Sequence, residues 1–155
     1  MKAAVIYKPH TPLVIEDVDL ESPKFGEVQI KISATGLCHS DLHNIKGEWD
    51  PAYPAILGHG GTGIVEAIGG GVRSVKVGDR VILSFRPNCG RCANCVRGVP
   101  VLCDGHQASR KHMLDGTSRA GVRGQPLFVS ARLGTFAERV VCPEEQAIPN
   151  DKDIP

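Results

Sequence analysis

The sequence lacks the features that identify membrane proteins and nucleic-acid binding proteins. Its 155 residues contain no apolar run near the roughly twenty residues that a bilayer requires. The first residues, MKAAVIYKPH, alternate in polarity and soon meet proline, so they do not form the apolar core of a secretion signal. Eighteen Lys and Arg balance seventeen Asp and Glu without a basic run, and the aromatic residues are one Trp, two Tyr and four Phe. We therefore expect a cytoplasmic protein with no nucleic acid and no membrane as partner.

Disulfide bonds are a further feature that the sequence does not favour. Six cysteines occur without a secretion signal, and the cytosol keeps thiols reduced, so metal binding or thiol chemistry is the better interpretation. A length of 155 residues suffices for one domain with its own core and is short for two. A single domain over 1–155 is therefore predicted.

Short segments rich in Val and Ile and bounded by Gly, Pro, Asn or Asp dominate the chain and predict strands. They lie at 2–7, 13–20, 27–37, 62–69, 79–85 and 135–142. Two short helices are predicted at 39–47, with Ser40 and Asp41 as candidate caps, and at 93–98. The fold class is therefore mainly β, a barrel or sandwich with few helices.

Two segments carry no periodic pattern. Scattered charges and glycines over 104–133 predict a long surface loop with little secondary structure. The last residues, IPNDKDIP, carry two prolines and two aspartates and predict a connector without a terminal element.

Four of the cysteines form the pattern C-x2-C-x2-C-x7-C. They are Cys89, Cys92, Cys95 and Cys103. Zinc takes four thiolates at tetrahedral corners, and a two-residue spacer lets neighbouring thiolates face one ion. There are two alternatives. One is an iron–sulfur cluster, but the ferredoxin spacing continues with x3 and then Cys-Pro. The other is that the cysteines are free thiols or form disulfides. A closed four-thiolate site leaves no position for substrate, so we predict a structural zinc that holds a lobe over 86–104.

A second group of polar side chains precedes this cluster. Its members are Cys38, His39, Ser40, Asp41, His43 and His59. A catalytic zinc needs protein ligands and one open position, and Cys38 and His59 are candidate ligands. Asp41 is placed to orient the His59 imidazole, and Ser40 and His43 to carry a proton. The alternative is that the histidines are caps or surface residues and that Cys38 is a small apolar residue of the core.

The segment GHGGTG, at 58–63, also matches the glycine pattern of a dinucleotide-binding turn. That turn requires a strand before it and a helix after it. The residues that follow, IVEAIGGGV, predict a strand instead. The pattern therefore does not predict a phosphate site.

Three ordered motifs together identify a family. G-x-C-H-S-D-x-H from Gly36, Gly-His at 58–59 and the four-cysteine pattern resemble the N-terminal catalytic domain of the zinc-dependent medium-chain alcohol dehydrogenases. The resemblance covers essentially the whole chain and implies a GroES-like β-barrel with a zinc-held lobe. It also implies NAD(P)-linked oxidation of a small-molecule alcohol to an aldehyde or ketone, and it is compatible with a homo-oligomer.

The resemblance also implies a role for individual residues. Cys38 and His59 match two ligands of the catalytic zinc, and Asp41 matches the carboxylate behind the histidine. Ser40 matches the hydroxyl that bonds the alcohol, and His43 matches the end of the proton relay. Two weaker assignments are His39, which matches a contact to the cofactor pyrophosphate, and Trp49, which is similar to an aromatic residue of the substrate pocket. The four cysteines of the second motif match the ligands of the lobe zinc.

The chain departs from the family pattern in two places. Gly60 stands where the family usually has a glutamate close to the catalytic zinc. The family takes its third catalytic ligand, and its cofactor-binding Rossmann domain, from segments after the one that resembles AIP (147–149), and neither occurs before Pro155. Cys142, the remaining thiol, ends an apolar strand and is expected in the core. We thus expect a truncated catalytic domain that is inactive alone; the alternative is a non-catalytic, zinc-stabilised binding module.

Overall fold

The computed structural model describes residues 1–49, 52–106, 111–151 and 153, and these form a mainly β fold with few helices. The strands are β1 (Lys2–Ile6), β2 (Val14–Asp17), β3 (Asp19–Leu20), β4 (Glu27–Thr35), β5 (Ala55–Ile56), β6 (Gly61–Ile68), β7 (Arg80–Leu83), β8 (Ala120–Val122), β9 (Gln125–Pro126), β10 (Phe128–Val129), β11 (Arg139–Pro143) and β12 (Ala147–Pro149). The helices are α1 (His39–Ile45) and α2 (Ala93–Val96), with 3-10 turns at Pro100–Leu102, Asp104–His106, Ser130–Arg132 and Glu144–Gln146. No helix of the described residues is both long and apolar enough to cross a bilayer.

The largest sheet has the order β11-β4-β6-β7-β12, with antiparallel neighbours throughout. Val28 and Ile30 of β4 alternate toward a core that also holds Val65, Val81 and Cys142. The register of β4 against β6 shifts twice, and such bulges increase the local twist of a strand pair. The sheet therefore curls into a half-barrel around this core, as the mainly β fold class predicted.

A second sheet, β10-β5-β1-β2, brings the residues before the candidate site into position. Its two-residue strand β5 pairs antiparallel with β1 and parallel with β10. Both residues of β5, Ala55 and Ile56, are buried. The chain thus leaves a buried strand three residues before His59, while α1 begins four residues after β4 ends. Two well-anchored strands therefore deliver the two halves of the candidate site.

The prediction of a surface loop over 104–133 is wrong for its second half. That half contains β8, β9 and β10, and β8 pairs with β3 in a third sheet, β3-β8-β9. Ala120, Val122 and Leu127 are buried with Val5 and Ile56 in one core cluster. The apolar residues are too widely separated by charges and glycines to produce a strand pattern in the sequence. Residues 107–110 of the predicted loop lie outside the described residues.

Several predicted element boundaries also need correction. The predicted strand 13–20 is broken at Val18 into β2 and β3. The helix predicted at 39–47 ends at Ile45. Its N-cap residue is Cys38, and of the two candidate caps Asp41 completes a capping box by accepting the backbone N–H of Cys38. The predicted terminal connector contains β12, which pairs with β7. Each error concerns a short segment whose state depends on its partner strand or neighbouring turn.

Candidate metal centres and substrate cavity

The first candidate centre lies where α1 approaches the segment between β5 and β6. Cys38 is exposed at the N-terminus of α1, and His59 is half-buried. The hydroxyl of Ser40 lies 3.2 Å from Nε2 of His59. Cys38 also bonds Ser40 and His59, so the structure brings these three predicted site residues together although about twenty positions separate His59 from the other two.

Asp41 connects the two segments. One carboxylate oxygen, Oδ2, accepts the backbone N–H of Cys38 at 3.1 Å. The other, Oδ1, accepts the backbone N–H of Gly58 at 3.1 Å and lies 3.3 Å from Nδ1 of His59. The side chain of Asp41 is only 4% exposed. A buried carboxylate that accepts one backbone N–H from each segment fixes both backbones, and its contact with Nδ1 leaves Nε2, beside the hydroxyl of Ser40, as the coordinating atom of the imidazole.

The thiol of Cys38 is activated by its neighbours. Hydrogen bonds from the hydroxyl and the backbone N–H of Ser40, and then from the ring of His59, lower the pKa of Cys38 to about 7. Donors aimed at a sulfur favour the thiolate, the form that binds a metal ion. The donor set at this centre is therefore one thiolate and one imidazole, which suits zinc.

Two threonines hold the backbone that follows His59. The hydroxyls of Thr35 and Thr135 are 2.7 Å apart, and Thr35 donates to the carbonyl of Gly60 at 3.0 Å. Gly58 has a φ of +85°, and a Cβ there would collide with the hydroxyl of Thr135 and the ring of Phe136. This position therefore requires glycine for both conformation and space.

Gly60 is different, because nothing lies within 4 Å of the position that a Cβ would occupy there. A side chain at this position would meet open space beside the candidate centre. The departure from the family glutamate at Gly60 is therefore not forced by packing. The segment GHGGTG at 58–63, which matches the glycine pattern of a dinucleotide-binding turn, leads into the strand β6 and not into a helix, as predicted.

A cavity of about 410 Å³ opens beside Ser40 and His59. Its other lining residues are Asn44, Trp49, Ala52, Ala55, Leu57, Phe85, Arg86, Lys111, Phe128, Val129, Ser130 and Ala131. The ring of Phe85 packs edge-on against His59, with 5.5 Å between centroids. A mostly apolar cavity with a few polar groups at one end is the usual form of a small-molecule site.

The predicted residues His39, His43 and Trp49 form a separate cluster at the surface end of this cavity. His43 stacks on Trp49 at 5.0 Å and contacts the edge of His39 at 4.8 Å. Nδ1 of His43 bonds Glu48, which lowers the pKa of that carboxyl. Within the described residues, Ser40 bonds His59 and not His43. The structure thus brings Trp49 to the cavity but leaves His39 and His43 beside it.

The second candidate centre contains the four cysteines of the lobe. Their sulfur atoms all lie within 4.8 Å of one another, and Cys92 and Cys103 are 4.0 Å apart. Sulfurs that are 2.3 Å from one zinc would be about 3.8 Å apart, so the cluster is close to the required size. In the described part of the chain, no other set of three or more His, Cys, Asp or Glu converges in this way.

Backbone N–H groups surround the sulfurs of this lobe. Those of Cys95 and Asp104 lower the pKa of Cys92 to about 6, and those of Arg91 and Cys92 lower the pKa of Cys89. Burial raises the pKa of Cys95 to about 12. The pKa values of Cys92 and Cys95 therefore shift in opposite directions. A bound metal ion would remove this difference, because a cation stabilises the thiolate form of every cysteine that binds it. The donor set therefore fits a resident zinc.

The lobe is tied together by local side-chain bonds. The amide of Asn94 donates to the carbonyl of Leu102 and to Asp104, both at 2.9 Å, and Arg97 donates to Asn94 at 2.7 Å. The remaining cysteine, Cys142, is fully buried in the half-barrel core, and burial raises the pKa of its thiol. The prediction that it belongs to the core is confirmed.

Sequence patterns missed most of the cavity wall. Phe85, Arg86 and Phe128 line it, and Thr135 positions the segment at its base. They come from two distant parts of the chain, and none belongs to a motif. Arg86 was detectable only as a charged residue between an aromatic residue and proline.

Comparison with known proteins identifies a family of zinc-binding domains, in agreement with the two candidate metal centres. Residues 24–152 match the family described as alcohol dehydrogenase GroES-like domain. The NDMA-dependent alcohol dehydrogenase of Amycolatopsis methanolica is 42% identical over 155 residues, which covers 99% of this chain and 42% of that protein. The chain thus spans about two fifths of the length of the curated relatives that it matches.

Solved structures give the same result for the fold. A crystal structure of an alcohol dehydrogenase zinc-binding domain protein from Burkholderia ambifaria superposes with a TM-score of 0.91 at 34% identity, covering 99% of this chain and 42% of that one. The benzyl alcohol dehydrogenase of Acinetobacter calcoaceticus superposes with a TM-score of 0.88 at 30% identity and the same coverages.

Proposed function

The chain belongs to the alcohol dehydrogenase GroES-like domain family, and from this membership we propose that it is the alcohol-binding, zinc-dependent catalytic part of an NAD(P)-linked alcohol dehydrogenase. The observation that carries the proposal is the contact of Asp41, His59 and Ser40 at the polar end of the 410 Å³ cavity. A carboxylate behind an imidazole, with a hydroxyl in front of it, is the arrangement that a metal-assisted alcohol oxidation requires.

Each of these side chains has a defined task in the proposal. Asp41 fixes the orientation and tautomer of His59, so that Nε2 faces the cavity. Cys38 and His59 hold a zinc ion, which when bound acidifies an alcohol, while a nicotinamide cofactor supplies the hydride acceptor. Ser40 receives the hydrogen bond of the substrate hydroxyl and carries its proton away.

We propose that His43 passes the proton from Ser40 to solvent and that His39 contacts the pyrophosphate of the cofactor. His43 lies one turn after Ser40 on α1, and its bond to Glu48 supports a ring that can accept a proton at the surface. His39 is exposed beside it, where a phosphate of the cofactor could approach. Trp49, between His43 and the cavity, completes the wall of the substrate site.

The lobe is proposed to bind a second, structural zinc through Cys89, Cys92, Cys95 and Cys103. Four thiolates leave no open position, so this ion stabilises residues 86–104 and takes no part in the reaction. We further propose that 1–155 is a single domain. A thiolate site of this kind needs reduced cysteines, which supports the cytoplasm as its location.

A non-catalytic binding module held by the lobe zinc is the second candidate. It is favoured by Gly60, which supplies no carboxylate, and by the first centre, where Cys38 and His59 are two ligands rather than three. In that case the half-barrel would serve as a surface for a partner. The two candidates differ in the number of metal ions that the chain binds.

Metal counting is therefore the first test. The proposed dehydrogenase site predicts two zinc ions per chain by mass spectrometry of the purified protein, and one after Cys38→Ala or His59→Ala. Cys142→Ala, which changes a thiol of the core, should leave both ions in place. A single zinc that survives Cys38→Ala would support the binding module instead.

Turnover is the second test. The prediction that residues 1–155 do not oxidise an alcohol by themselves stays a prediction. An assay with NAD and NADP over a panel of primary alcohols tests it, and robust turnover would refute it.

A further inference from the structure

Arg86 lines the cavity, and the described residues offer it no acidic partner. Its guanidinium carbon is 5.7 Å from the centroid of the Phe85 ring. Among the described residues, no carboxylate forms an ion pair with it, whereas Arg119, Arg123 and Arg139 each pair with a glutamate. A guanidinium with five donors and no acceptor partner is ready to bind an anion.

The backbone around Arg86 is held on both sides. The N–H of Arg86 donates to the hydroxyl of Ser84 at 3.2 Å, just after β7 ends. Pro87 follows and is buried, and a residue before proline is restricted to extended conformations. The position of Arg86 is therefore set by the sheet on one side and the lobe on the other.

Among the described lining residues of the cavity, the ionisable ones are His59, Arg86 and Lys111, and none is Asp or Glu. A bound metal ion would add further positive charge at the end where His59 lies. Arg86 is exposed, so its attraction for an anion is partly screened by solvent and depends on salt.

The Phe85 ring is near both polar groups. Its centroid is 5.5 Å from that of the His59 ring and 5.7 Å from the guanidinium carbon of Arg86, so these two groups are no more than about 11 Å apart, within the span of a small aromatic ligand. A ligand lying along Phe85 would place a hydroxyl at Ser40 and a second polar group at Arg86. Its apolar middle would pack on the aromatic wall.

We propose that the substrate alcohol carries an anionic group, a carboxylate, that pairs with Arg86 while its hydroxyl lies at Ser40 and His59. This inference rests on the proposed function and names the class of substrate for that site. Arg86 is a specificity-determining residue in it. A planar guanidinium can bind a carboxylate through two parallel hydrogen bonds, which selects an acid over a neutral analogue.

Trp49 makes the proposal measurable without turnover. It is the single tryptophan of the chain and lines the cavity, so its fluorescence reports occupancy. The ligands are 4-(hydroxymethyl)benzoate, its neutral isostere 4-(hydroxymethyl)benzamide, and benzyl alcohol. We expect the benzoate to bind about tenfold more tightly than the benzamide, since a hydrogen bond to a charged group contributes that much. This preference should decrease as salt is added.

Substitutions at Arg86 assign the effect. Arg86→Gln should remove the preference for the benzoate and leave the affinity for benzyl alcohol unchanged, and Arg86→Lys should retain part of it. Arg73→Gln, an exposed arginine outside the cavity, is the matched control and should behave as the unsubstituted chain. Near-ultraviolet circular dichroism checks that each variant remains folded.

Three results would overturn the inference. Equal affinity of the unsubstituted chain for the benzoate and the benzamide would overturn the inference. The proposed function would survive that result if benzyl alcohol still binds. Failure of all three ligands to bind would remove both. If Arg86→Gln weakens binding of ADP-ribose but not of the benzoate, the guanidinium serves a cofactor phosphate and not the substrate.

Discussion

The carboxylate of Asp41 lies 3.3 Å from the Nδ1 atom of His59, and the same oxygen accepts the backbone N–H of Gly58. This contact joins the first turn of α1 to the segment that follows β5. One buried acid thereby fixes the imidazole and both backbones on which the candidate zinc ligands stand. Removal of its charge should affect metal binding more than folding.

Asp41→Asn is the direct test of that relationship. The amide can still accept one backbone N–H, but it no longer stabilises the His59 ring as a ligand. We expect zinc affinity at this centre to fall by about 10- to 100-fold, measured by competition with a chelator of known affinity. Asp79→Asn changes a carboxylate that caps a remote turn at Lys76 and is the control. An unchanged affinity in Asp41→Asn would mean that the carboxylate does not support a ligand.

Gly60→Glu should be tolerated by the fold. A Cβ at Gly60 has open space around it, whereas one at Gly58 would collide with the hydroxyl of Thr135. The free energy of unfolding should change by less than about 1 kcal/mol in Gly60→Glu, and fall by more than that in Gly58→Ala, where φ is positive. Urea unfolding compares the two.

The same Gly60→Glu variant tests the chemistry of the centre. A carboxylate added near Cys38 and His59 should strengthen zinc binding, because opposite charges attract strongly beside a partly buried site. Zinc content at limiting metal concentration measures the effect. If zinc occupancy does not change, the glycine is a neutral departure from the family pattern.

Cys103→Ser should remove the lobe zinc and disorder residues 86–104. A serine hydroxyl does not replace a thiolate ligand of zinc, and the folding of such a lobe depends on its metal. Limited proteolysis should then cut within the lobe, while the half-barrel stays intact. Cys142→Ser, in the core, should leave the lobe protected. An uncut lobe in Cys103→Ser would indicate that the hydrogen bonds of Asn94 suffice.

Arg119 should be the most important charged residue for stability. Its guanidinium binds both oxygens of Glu27, at 2.8 and 2.6 Å, and the two side chains are 3% and 10% exposed. Arg119→Met leaves the Glu27 carboxylate buried without its charged partner and with only the backbone N–H of Lys24 as a described donor, which should cost about 3–5 kcal/mol of unfolding free energy. Arg139→Met breaks the more exposed pair with Glu66 and should cost much less. Equal losses would show that burial of the pair is unimportant.

Asp115 should make part of the stability dependent on pH. Hydrogen bonding to Arg119 holds the pKa of this carboxyl well below its usual value. A carboxyl with a lowered folded-state pKa stabilises the fold above its ordinary pKa, near 4, and that contribution is lost as the pH falls further. Because the side chain is 43% exposed, Asp115→Asn should cost only about 0.5 kcal/mol at pH 7. The difference between the two chains should shrink as the pH falls below about 4 toward the lowered folded-state pKa of Asp115.

Local sequence determined the four-cysteine lobe and the type of fold. The spacing of Cys89 to Cys95 lies within one short segment, so few backbone conformations separate the pattern from the cluster. Val- and Ile-rich segments bounded by Gly and Pro likewise indicated a mainly β chain. Both depend on contacts between near neighbours or on the period of one strand, which a sequence contains directly.

Only the tertiary structure decided what surrounds the candidate catalytic centre. Thr35 meets Thr135 across a hundred positions, and Arg119 meets Glu27 across 92. Contacts between distant segments also determine the buried half of 104–133 and the cavity wall at Phe85 and Arg86. Such contacts form where strands from distant parts of the chain pack together, and their stability comes from burying the groups of both. A pattern along one segment does not contain the partner, so local sequence indicated the candidate ligands and the tertiary structure determined their environment.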